Sequence, residues 1–286
     1  MIFGEWKFME RNQFIGNFYR GTQPVKDGPV WGLSFKSRGS MRFRWNETNQ
    51  NRIDYLAEVA QGRDVCSIEL IHSKTVYDIQ SKDQLELKQG DGIITANKNL
   101  LPVVTVADCM PIYLFDKKKE VFGVLHSGWK GTGIVEEAVN LCKKNYGSRT
   151  DDIYVSLGPH IKNCCYIVDE ERAQYFKSNF GENCVTLVQG KYGIFFPGDK
   201  SKGEGVTVEK GVQTSGRKYK LSLLKANLNV LKKCGIPDEN IVYAAECTCC
   251  TPELGSFRRE TNQLPADMSL EEKQKQFTPM AAWIRW

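Results

Sequence analysis

The segment TVADCMPIYLFD (residues 105–116) is followed, after four residues, by VFGVLHSGWKGTG (residues 121–133). Both runs are apolar, rich in β-branched residues and bounded by turns, which is typical of buried strands. Each contains one soft or borderline metal ligand, Cys109 in the first and His126 in the second. Because the chain has only three histidines, two such residues at neighbouring strand ends indicate a shared site.

Strands and helices alternate on both sides of this pair. After the glycine-rich turn, residues 132–147 have the apolar spacing of an amphipathic helix, with Thr132 as the expected N-terminal cap and Gly147 near the end. Residues 49–60 predict a second helix, and DVCSIELIHSK (residues 64–74) predicts a strand that ends at or just before His72. This interleaving from residue 30 to residue 247 predicts one α/β domain.

The domain is expected to span residues 30–286. Residues 1–29 mix aromatic residues, Gly and Pro without a clear period, and we interpret them as an N-terminal extension or an edge hairpin. The Gly-, Lys- and Ser-rich stretch at 198–217 predicts a flexible loop inside the domain.

Composition narrows the functional classes. The chain has 286 residues, 41% of them hydrophobic, and a formal net charge of +5, but it contains no run of five basic residues. Such a charge suits a small anion and argues against a nucleic-acid partner. The sequence contains neither a signal-peptide core nor eighteen consecutive apolar residues, so we expect a cytoplasmic protein with no membrane association. Nothing in it points to a protein partner.

His72, Cys109 and His126 form the candidate metal site. Each is expected at or just past a strand end, and they lie 37 and 17 residues apart, far from the short spacings of zinc fingers. Three N and S ligands from separate strands, with a fourth position left for water, are a common way to hold catalytic zinc. Copper also accepts these ligands. The competing interpretation is a buried Cys and a hydrogen-bonded His in the core. Asp108 is a candidate general acid or base, or a partner of the metal ligands, although Asp at a strand end is often only a turn residue.

The SGWKGTG turn (residues 127–133) is a candidate anion site. It offers main-chain N–H groups, the start of a helix and Lys130, but it lacks the spacing of a phosphate-binding Walker motif. Arg38 and Arg258 are further candidates for contacts to phosphate. The alternative is a tight turn with solvated cations.

Cysteines are concentrated in two further segments. NCCYIV (residues 163–168) and ECTCC (residues 246–250) hold five of the ten cysteines. Because a length of 286 residues and the missing signal peptide argue for reduced thiols, we interpret these five as buried cysteines rather than as a second metal centre.

An ordered series of motifs resembles the laccase-domain family, whose members are called polyphenol oxidases and purine nucleoside phosphorylases. The motifs are IHSK (71–74), GDGIIT (90–95), VADCMPIYLFD (106–116), GVLHSGWKGTG (123–133), LGPHIKNCCYIV (157–168) and SFRRE (256–260), and the match covers roughly residues 30–286.

The resemblance implies a single-domain, layered α/β sandwich with mixed β-sheets and flanking helices. It also implies zinc binding by His72, Cys109 and His126, phosphorolysis of adenosine, inosine and methylthioadenosine, and adenosine deaminase activity. The substrates are then a purine nucleoside and phosphate. This chain departs from the family in two motifs: the usual VHG is IHS, and the usual HAGWRG is HSGWKG. Lys130 keeps the positive charge but lacks the two-pronged contact of arginine.

Three alternatives are compatible with the same residues. A cysteine hydrolase would use Cys109 as nucleophile and His126 as base. A copper-dependent polyphenol oxidase would follow from the older family name, but three ligands are too few for several copper ions. The alternative outside enzymes is a structural metal-binding protein, which would unfold when its metal is removed.

Overall fold

The computed structural model describes residues 7–9, 13–188, 217–265 and 267–286. The strands are β1 (Lys7–Met9), β2 (Gln13–Gly16), β3 (Tyr19–Arg20), β4 (Gln23–Pro24), β5 (Val30–Ser34), β6 (Asp64–Ser67), β7 (Val76–Asp78), β8 (Gly92–Thr95), β9 (Leu100–Val106), β10 (Met110–Asp116), β11 (Val121–Ser127), β12 (Ile153–Leu157), β13 (Ile167–Val168), β14 (Val185–Leu187), β15 (Tyr219–Leu221), β16 (Ile241–Tyr243) and β17 (Met280–Arg285). The α-helices are α1 (Gln50–Ala60), α2 (Ile134–Tyr146), α3 (Glu170–Phe180), α4 (Leu223–Cys234), α5 (Phe257–Thr261) and α6 (Leu270–Gln274).

Two six-stranded sheets organise the chain. The first has the order β1-β2-β5-β17-β9-β6, and the second has the order β16-β12-β10-β11-β8-β7. Both are mixed, because β6 runs parallel to β9, β7 to β8 and β12 to β16, whereas the other pairs are antiparallel. The α/β fold with several mixed sheets is therefore confirmed.

The two sheets pack face to face, and helices cover the outer face of the second. Successive side chains of a strand point to opposite faces. Along β10, Tyr113 and Phe115 enter the core between the sheets, and the Tyr113 ring stacks on Trp31 at 4.5 Å between centroids. Ile112 and Leu114 belong to the core beneath α2, α3 and α4. Because β10 is buried on both faces, its sequence is apolar from Met110 to Phe115.

Helix α1 covers the first sheet on its other face. Leu56 and Val59 of α1 pack with Leu101 and Val103 of β9 in a separate buried cluster. The Asn49 side chain caps α1 by accepting a hydrogen bond from the Arg52 N–H. The layers are therefore helix, sheet, sheet and helices, which matches the expected sandwich.

The segment TVADCMPIYLFD (residues 105–116), which contains Cys109, is divided between the two sheets. Strand β9 belongs to the first sheet and β10 to the second, and residues 107–109 join them. Cys109 thus lies where the chain crosses from one sheet to the other. The sequence indicated a strand end near this residue but did not show that the chain changes sheets there.

Several local predictions are refined. The helices expected at 49–60 and after residue 132 are present as α1 and α2. The cap of α2 is Gly133 rather than Thr132, whose hydroxyl instead donates to the carbonyl of Gly128 at 2.6 Å. The strand predicted to reach His72 ends at Ser67, so His72 lies on a loop.

The N-terminal region is tied to the first sheet. Strand β2 pairs antiparallel with β5, and the short strands β3 and β4 form a two-stranded hairpin. The boundary at residue 30 stays a prediction. The loop predicted at 198–217 lies, apart from its last residue, outside the described residues. None of the helices in the described parts of the chain has the length and apolar character needed to cross a bilayer.

Candidate metal centre and its cavity

His126 is held in a buried position at the end of β11. Its main-chain N–H donates to the Asp91 carbonyl at 2.7 Å, and its Nδ1 lies 2.9 Å from Asp91 Oδ1. This hydrogen bond leaves Nε2 for the neighbouring Cys109 thiol, with which the imidazole is hydrogen-bonded. A carboxylate on the far nitrogen of a ligating histidine fixes the ring and raises its basicity.

The same carboxylate places His72. Asp91 Oδ1 accepts the main-chain N–H of His72 at 3.0 Å, and Oδ2 accepts the N–H and the hydroxyl of Ser73. His72 is exposed and has a positive φ of 59°, a conformation that costs free energy in a residue other than glycine. The rings of His72 and His126 lie 4.9 Å apart, nearly perpendicular to each other. Asp91 therefore contacts both histidine residues, through the imidazole of His126 and the main-chain N–H of His72.

Cys109 completes the group. The donor atoms of His72, Cys109 and His126 all lie within 4.8 Å of one another. Gly128 makes room for the thiol, because a Cβ at that position would lie 2.7 Å from Cys109 Sγ. Two imidazoles and one thiolate are suitable ligands for zinc or copper, so the residues present fit a metal ion. We call these three residues the His–Cys–His centre.

The cysteine and the buried histidine favour opposite charges. Burial alone would raise the pKa of the Cys109 thiol, but the charge and hydrogen bond of His126, together with His72, lower it. Burial alone would lower the pKa of His126, but the Cys109 thiolate and Asp91 raise it. Burial would also raise the pKa of Asp91, and its bonds from His126 and Ser73 bring it below the usual range. The thiolate is the form that binds metals and acts as a nucleophile.

Asp108, next to Cys109, is buried and bonded from two distant segments. Its Oδ1 accepts the Thr248 hydroxyl, and its Oδ2 accepts the main-chain N–H of Arg258, both at 2.6 Å. Burial raises the pKa of Asp108, although these hydrogen bonds lower it in part. Asp108 also has a positive φ of 76°. Asp108 is therefore held in a sparsely populated conformation by segments about 140 and 150 residues away, which are contacts beyond those of a local turn.

A cavity of about 430 Å³ opens beside the centre, and His72, Asp108, Cys109 and His126 all contribute to its lining. Aromatic and cationic side chains form much of the remaining wall. The aromatic members are Phe43, Trp129, Tyr166, Phe257 and Phe277, and the cationic members are Arg42, Arg44, Arg172 and Arg258. This volume and this mixture of apolar walls with a few polar groups are typical of small-molecule sites.

The cations differ in position. Among the residues expected to contact phosphate, Arg258 lines the cavity, whereas Arg38 and Lys130 do not belong to its described lining. Arg38 forms an ion pair with Glu58 at 3.1 Å, and Lys130 is exposed.

Sequence reasoning missed two residues of this region. Arg172 stacks over the Trp129 ring at 3.8 Å, and its Nε–H, although buried, has no hydrogen-bond partner among the described residues. Arg172 lies on a surface helix, where no sequence signal separates it from a solvated arginine. Asp91 was overlooked within GDGIIT, although an acidic residue directly before a buried strand is a detectable signal.

The chain matches a family model over most of its described length. The model of the family described as multi-copper polyphenol oxidoreductase laccase matches residues 45–266. A purine nucleoside phosphorylase from Clostridium acetobutylicum is 32% identical over 219 residues, which are 75% of this chain and 79% of that relative. An adenosine deaminase from an unknown prokaryotic organism is 27% identical over 65% of this chain and 62% of that relative.

A solved structure shows the same fold. YlmD from Geobacillus stearothermophilus superimposes with a TM-score of 0.70 over 98% of both chains, at 22% sequence identity. The family match, the related phosphorylase and the shared fold agree with one another. The chain belongs to the multi-copper polyphenol oxidoreductase laccase family, which includes relatives named as purine nucleoside phosphorylases.

Proposed function

We propose that this protein is a metal-dependent purine nucleoside phosphorylase that also deaminates adenosine. The observation that carries the proposal is the His–Cys–His centre on the wall of a cavity of about 430 Å³ lined by aromatic rings and arginines. The names of the related phosphorylase and deaminase support the two reactions. The proposed substrates are adenosine, inosine and methylthioadenosine, with phosphate as the second substrate. Ten free thiols favour the cytoplasm as the compartment.

His72, Cys109 and His126 would hold the metal, and we propose zinc. Zinc accepts a mixed set of two histidines and one cysteine, and a bound zinc ion supplies a Lewis acid. The roles left to the chain are to keep these donors in place, to bind the nucleoside and to transfer protons. Asp91 serves the first of these roles through its bonds to both histidine residues.

Phosphorolysis requires an oxyanion near the sugar. A phosphate oxygen attacks the anomeric carbon of the ribose, the bond from that carbon to the purine nitrogen breaks, and the electron pair leaves with the base. Arg258 and Arg172 are the proposed phosphate ligands, because both line the cavity and the buried Nε–H of Arg172 has no hydrogen-bond partner in the described parts of the chain. An arginine guanidinium matches the geometry of two phosphate oxygens.

The departing purine needs a proton. Asp108 is the proposed donor, since burial raises its pKa and it lines the same cavity. Thr248 and the N–H of Arg258 orient its carboxyl group. The aromatic walls, including Tyr166 and Phe257, provide surfaces on which a purine ring can stack and from which water is excluded.

Product analysis tests the proposal. Adenosine is incubated with protein of measured metal content, with and without phosphate, and the products are separated by chromatography. Adenine and ribose 1-phosphate that appear only with phosphate identify phosphorolysis, and inosine identifies deamination. If folded, metal-bound protein forms neither product, the nucleoside assignment is wrong.

A second candidate function uses the same residues without a metal. The hydrogen-bonded pair of Cys109 and His126 has the charge distribution of a cysteine nucleophile and its base. In this alternative, the thiolate attacks a substrate carbonyl. Loss of activity on thiol alkylation, without loss on metal removal, would favour this hydrolase over the phosphorylase. Copper-dependent phenol oxidation has the family description in its favour, but the three donors of the centre would hold one ion.

A further inference from the structure

A second group of possible metal ligands lies outside the His–Cys–His centre. The Sγ atoms of Cys164, Cys165, Cys247 and Cys250 all lie within 4.8 Å of one another. Two of the distances are 3.7 Å, from Cys164 to Cys250, and 3.3 Å, from Cys165 to Cys250. We call these residues the four-cysteine cluster. All four are free thiols.

Two tight turns present the four thiols. In the first, the Lys162 carbonyl accepts the N–H of Cys165 at 3.0 Å. In the second, the Cys247 carbonyl accepts the N–H groups of Cys250 and Thr251 at 3.0 and 2.9 Å. The second turn is a Cys-x-x-Cys sequence hidden within CTCC, the usual spacing for two ligands of one zinc ion.

Main-chain contacts align the turns. His160 and Cys247 form an isolated parallel β-bridge, and the N–H of Thr248 donates to the His160 carbonyl at 3.1 Å. The main-chain N–H of Lys162 donates to Cys247 Sγ at 3.3 Å. Hydrogen bonds to sulfur stabilise thiolates, and such contacts around first ligands are part of metal sites.

We propose that the four-cysteine cluster binds one zinc ion through four thiolates, in a closed structural site distinct from the His–Cys–His centre. Tetrahedral zinc with bonds of about 2.3 Å to sulfur requires sulfur atoms about 3.8 Å apart, close to the distances already present. Each thiol gives its proton to solvent as the ion binds. Lys162, in the first turn, supplies positive charge beside the resulting anionic site.

Two hydrogen bonds to Asp108 connect the turns of the four-cysteine cluster with the cavity beside the His–Cys–His centre. Thr248, between Cys247 and Cys249, donates its hydroxyl to Asp108. The N–H of Ile161, just before the first turn, donates to the Asp108 carbonyl at 2.9 Å. A zinc ion that joins the two cysteine turns would therefore hold Asp108, the proposed acid, in place beside the cavity. The ion itself would not contact a substrate.

Metal content of the purified full chain tests the proposal. Wild-type protein, reconstituted with zinc and freed of loosely bound ions, is expected to carry about two zinc ions per chain, and Cys247→Ser with Cys250→Ser about one. Cys234→Ser is the matched control, because Cys234 belongs to neither cluster, and it should keep both ions. His72→Ala should lose the zinc ion of the His–Cys–His centre and keep the one at the four-cysteine cluster. A zinc content that is the same in the double variant as in the wild type overturns the proposal.

A spectroscopic readout on the wild type covers the case in which the double variant does not fold. Cobalt-substituted protein should show the intense sulfur-to-cobalt charge-transfer absorption of a tetrathiolate site, and His72→Ala should retain it. Counting thiols after denaturation without reductant adds a second check. Ten reactive thiols after zinc is removed are expected, whereas eight, together with no tetrathiolate absorption, would show a disulfide in place of the metal.

Discussion

The His–Cys–His centre and the four-cysteine cluster both bring nitrogen or sulfur donors together, but they differ in the number of donors and in their surroundings. The centre has three donors, borders a cavity of about 430 Å³ and includes an exposed histidine. The cluster has four donors on two turns. Three protein ligands leave a coordination position for chemistry, whereas four complete the coordination of zinc. On the roles proposed above, the number of donors, rather than their type, would separate a reactive site from a structural one in this molecule.

Removing His72 should have the largest effect and tests whether the centre acts through its metal. We expect His72→Ala to lower nucleoside turnover by about 10³-fold, because the contribution of a Lewis acid is several kcal/mol. His72 is exposed, so the fold should be retained. Turnover and metal content are measured together, with circular dichroism as the control for folding. Wild-type turnover in His72→Ala protein that lacks the metal of the His–Cys–His centre would show that the Cys109–His126 pair works alone.

Asp91→Asn tests whether the Asp91 carboxylate supports metal binding at the His–Cys–His centre. The amide keeps the shape of the side chain but loses the charge that both His72 and His126 contact. We expect metal affinity at the centre to fall by about 10- to 100-fold, as for other partners of metal ligands. Competition with a chromophoric chelator measures this affinity. The tetrathiolate absorption of cobalt at the four-cysteine cluster should not change, and a parallel loss there would mean that the sites are not separate.

Arg258→Ala tests whether phosphate binds in the cavity or at the exposed surface. The substitution removes the guanidinium but leaves the main-chain N–H that contacts Asp108. We expect the KM for phosphate to rise by about 10-fold, the loss of one charge-assisted hydrogen bond. Lys130→Ala is the control because Lys130 is exposed and outside the cavity lining. A larger effect in Lys130→Ala would move the phosphate site to the glycine-rich turn.

Thr248→Val tests the connection between the two groups of donors. The two side chains are nearly equal in size, but valine cannot donate to Asp108 Oδ1. We expect kcat to fall by about 3- to 10-fold, which corresponds to the loss of one buried hydrogen bond. The zinc content should stay at the wild-type value. An unchanged kcat, with an unchanged pH profile, would show that the four-cysteine cluster does not influence Asp108 through Thr248.

The sequence predicted the buried strands and the three residues of the centre because both leave local signals. Strand β10 is apolar from Met110 to Phe115 with Cys109 directly before it, and β11 is apolar up to His126 near its end. Helices α1 and α2 followed from apolar spacing. These predictions needed no knowledge of which strands are neighbours.

Residues that depend on distant contacts were missed. Cys164 and Cys247 are 83 positions apart, and contacts of His160 and Lys162 with the second turn bring them together, so the sequence did not show that these thiols meet. The interpretation of the cysteines as buried holds for Cys247 and Cys249 but not for all five. Cys164 is in fact exposed. Arg38 and Lys130 were chosen for charge and turn context, and neither property shows which surface a side chain lines.

The position of Cys109 directly before β10 has a kinetic consequence. Strands β10 and β11 form an antiparallel pair in which Pro111 lies opposite His126, so a contact between segments close in sequence brings Cys109 and His126 together. His72 joins them when its main-chain N–H binds Asp91, which directly precedes β8 of the same sheet. Contacts between segments close in sequence form faster than contacts between distant ones, because closing a longer loop costs more entropy. We therefore expect the Cys109–His126 pair to form early in refolding and His72 to complete the centre later, and the rate of metal capture during refolding would report that later step.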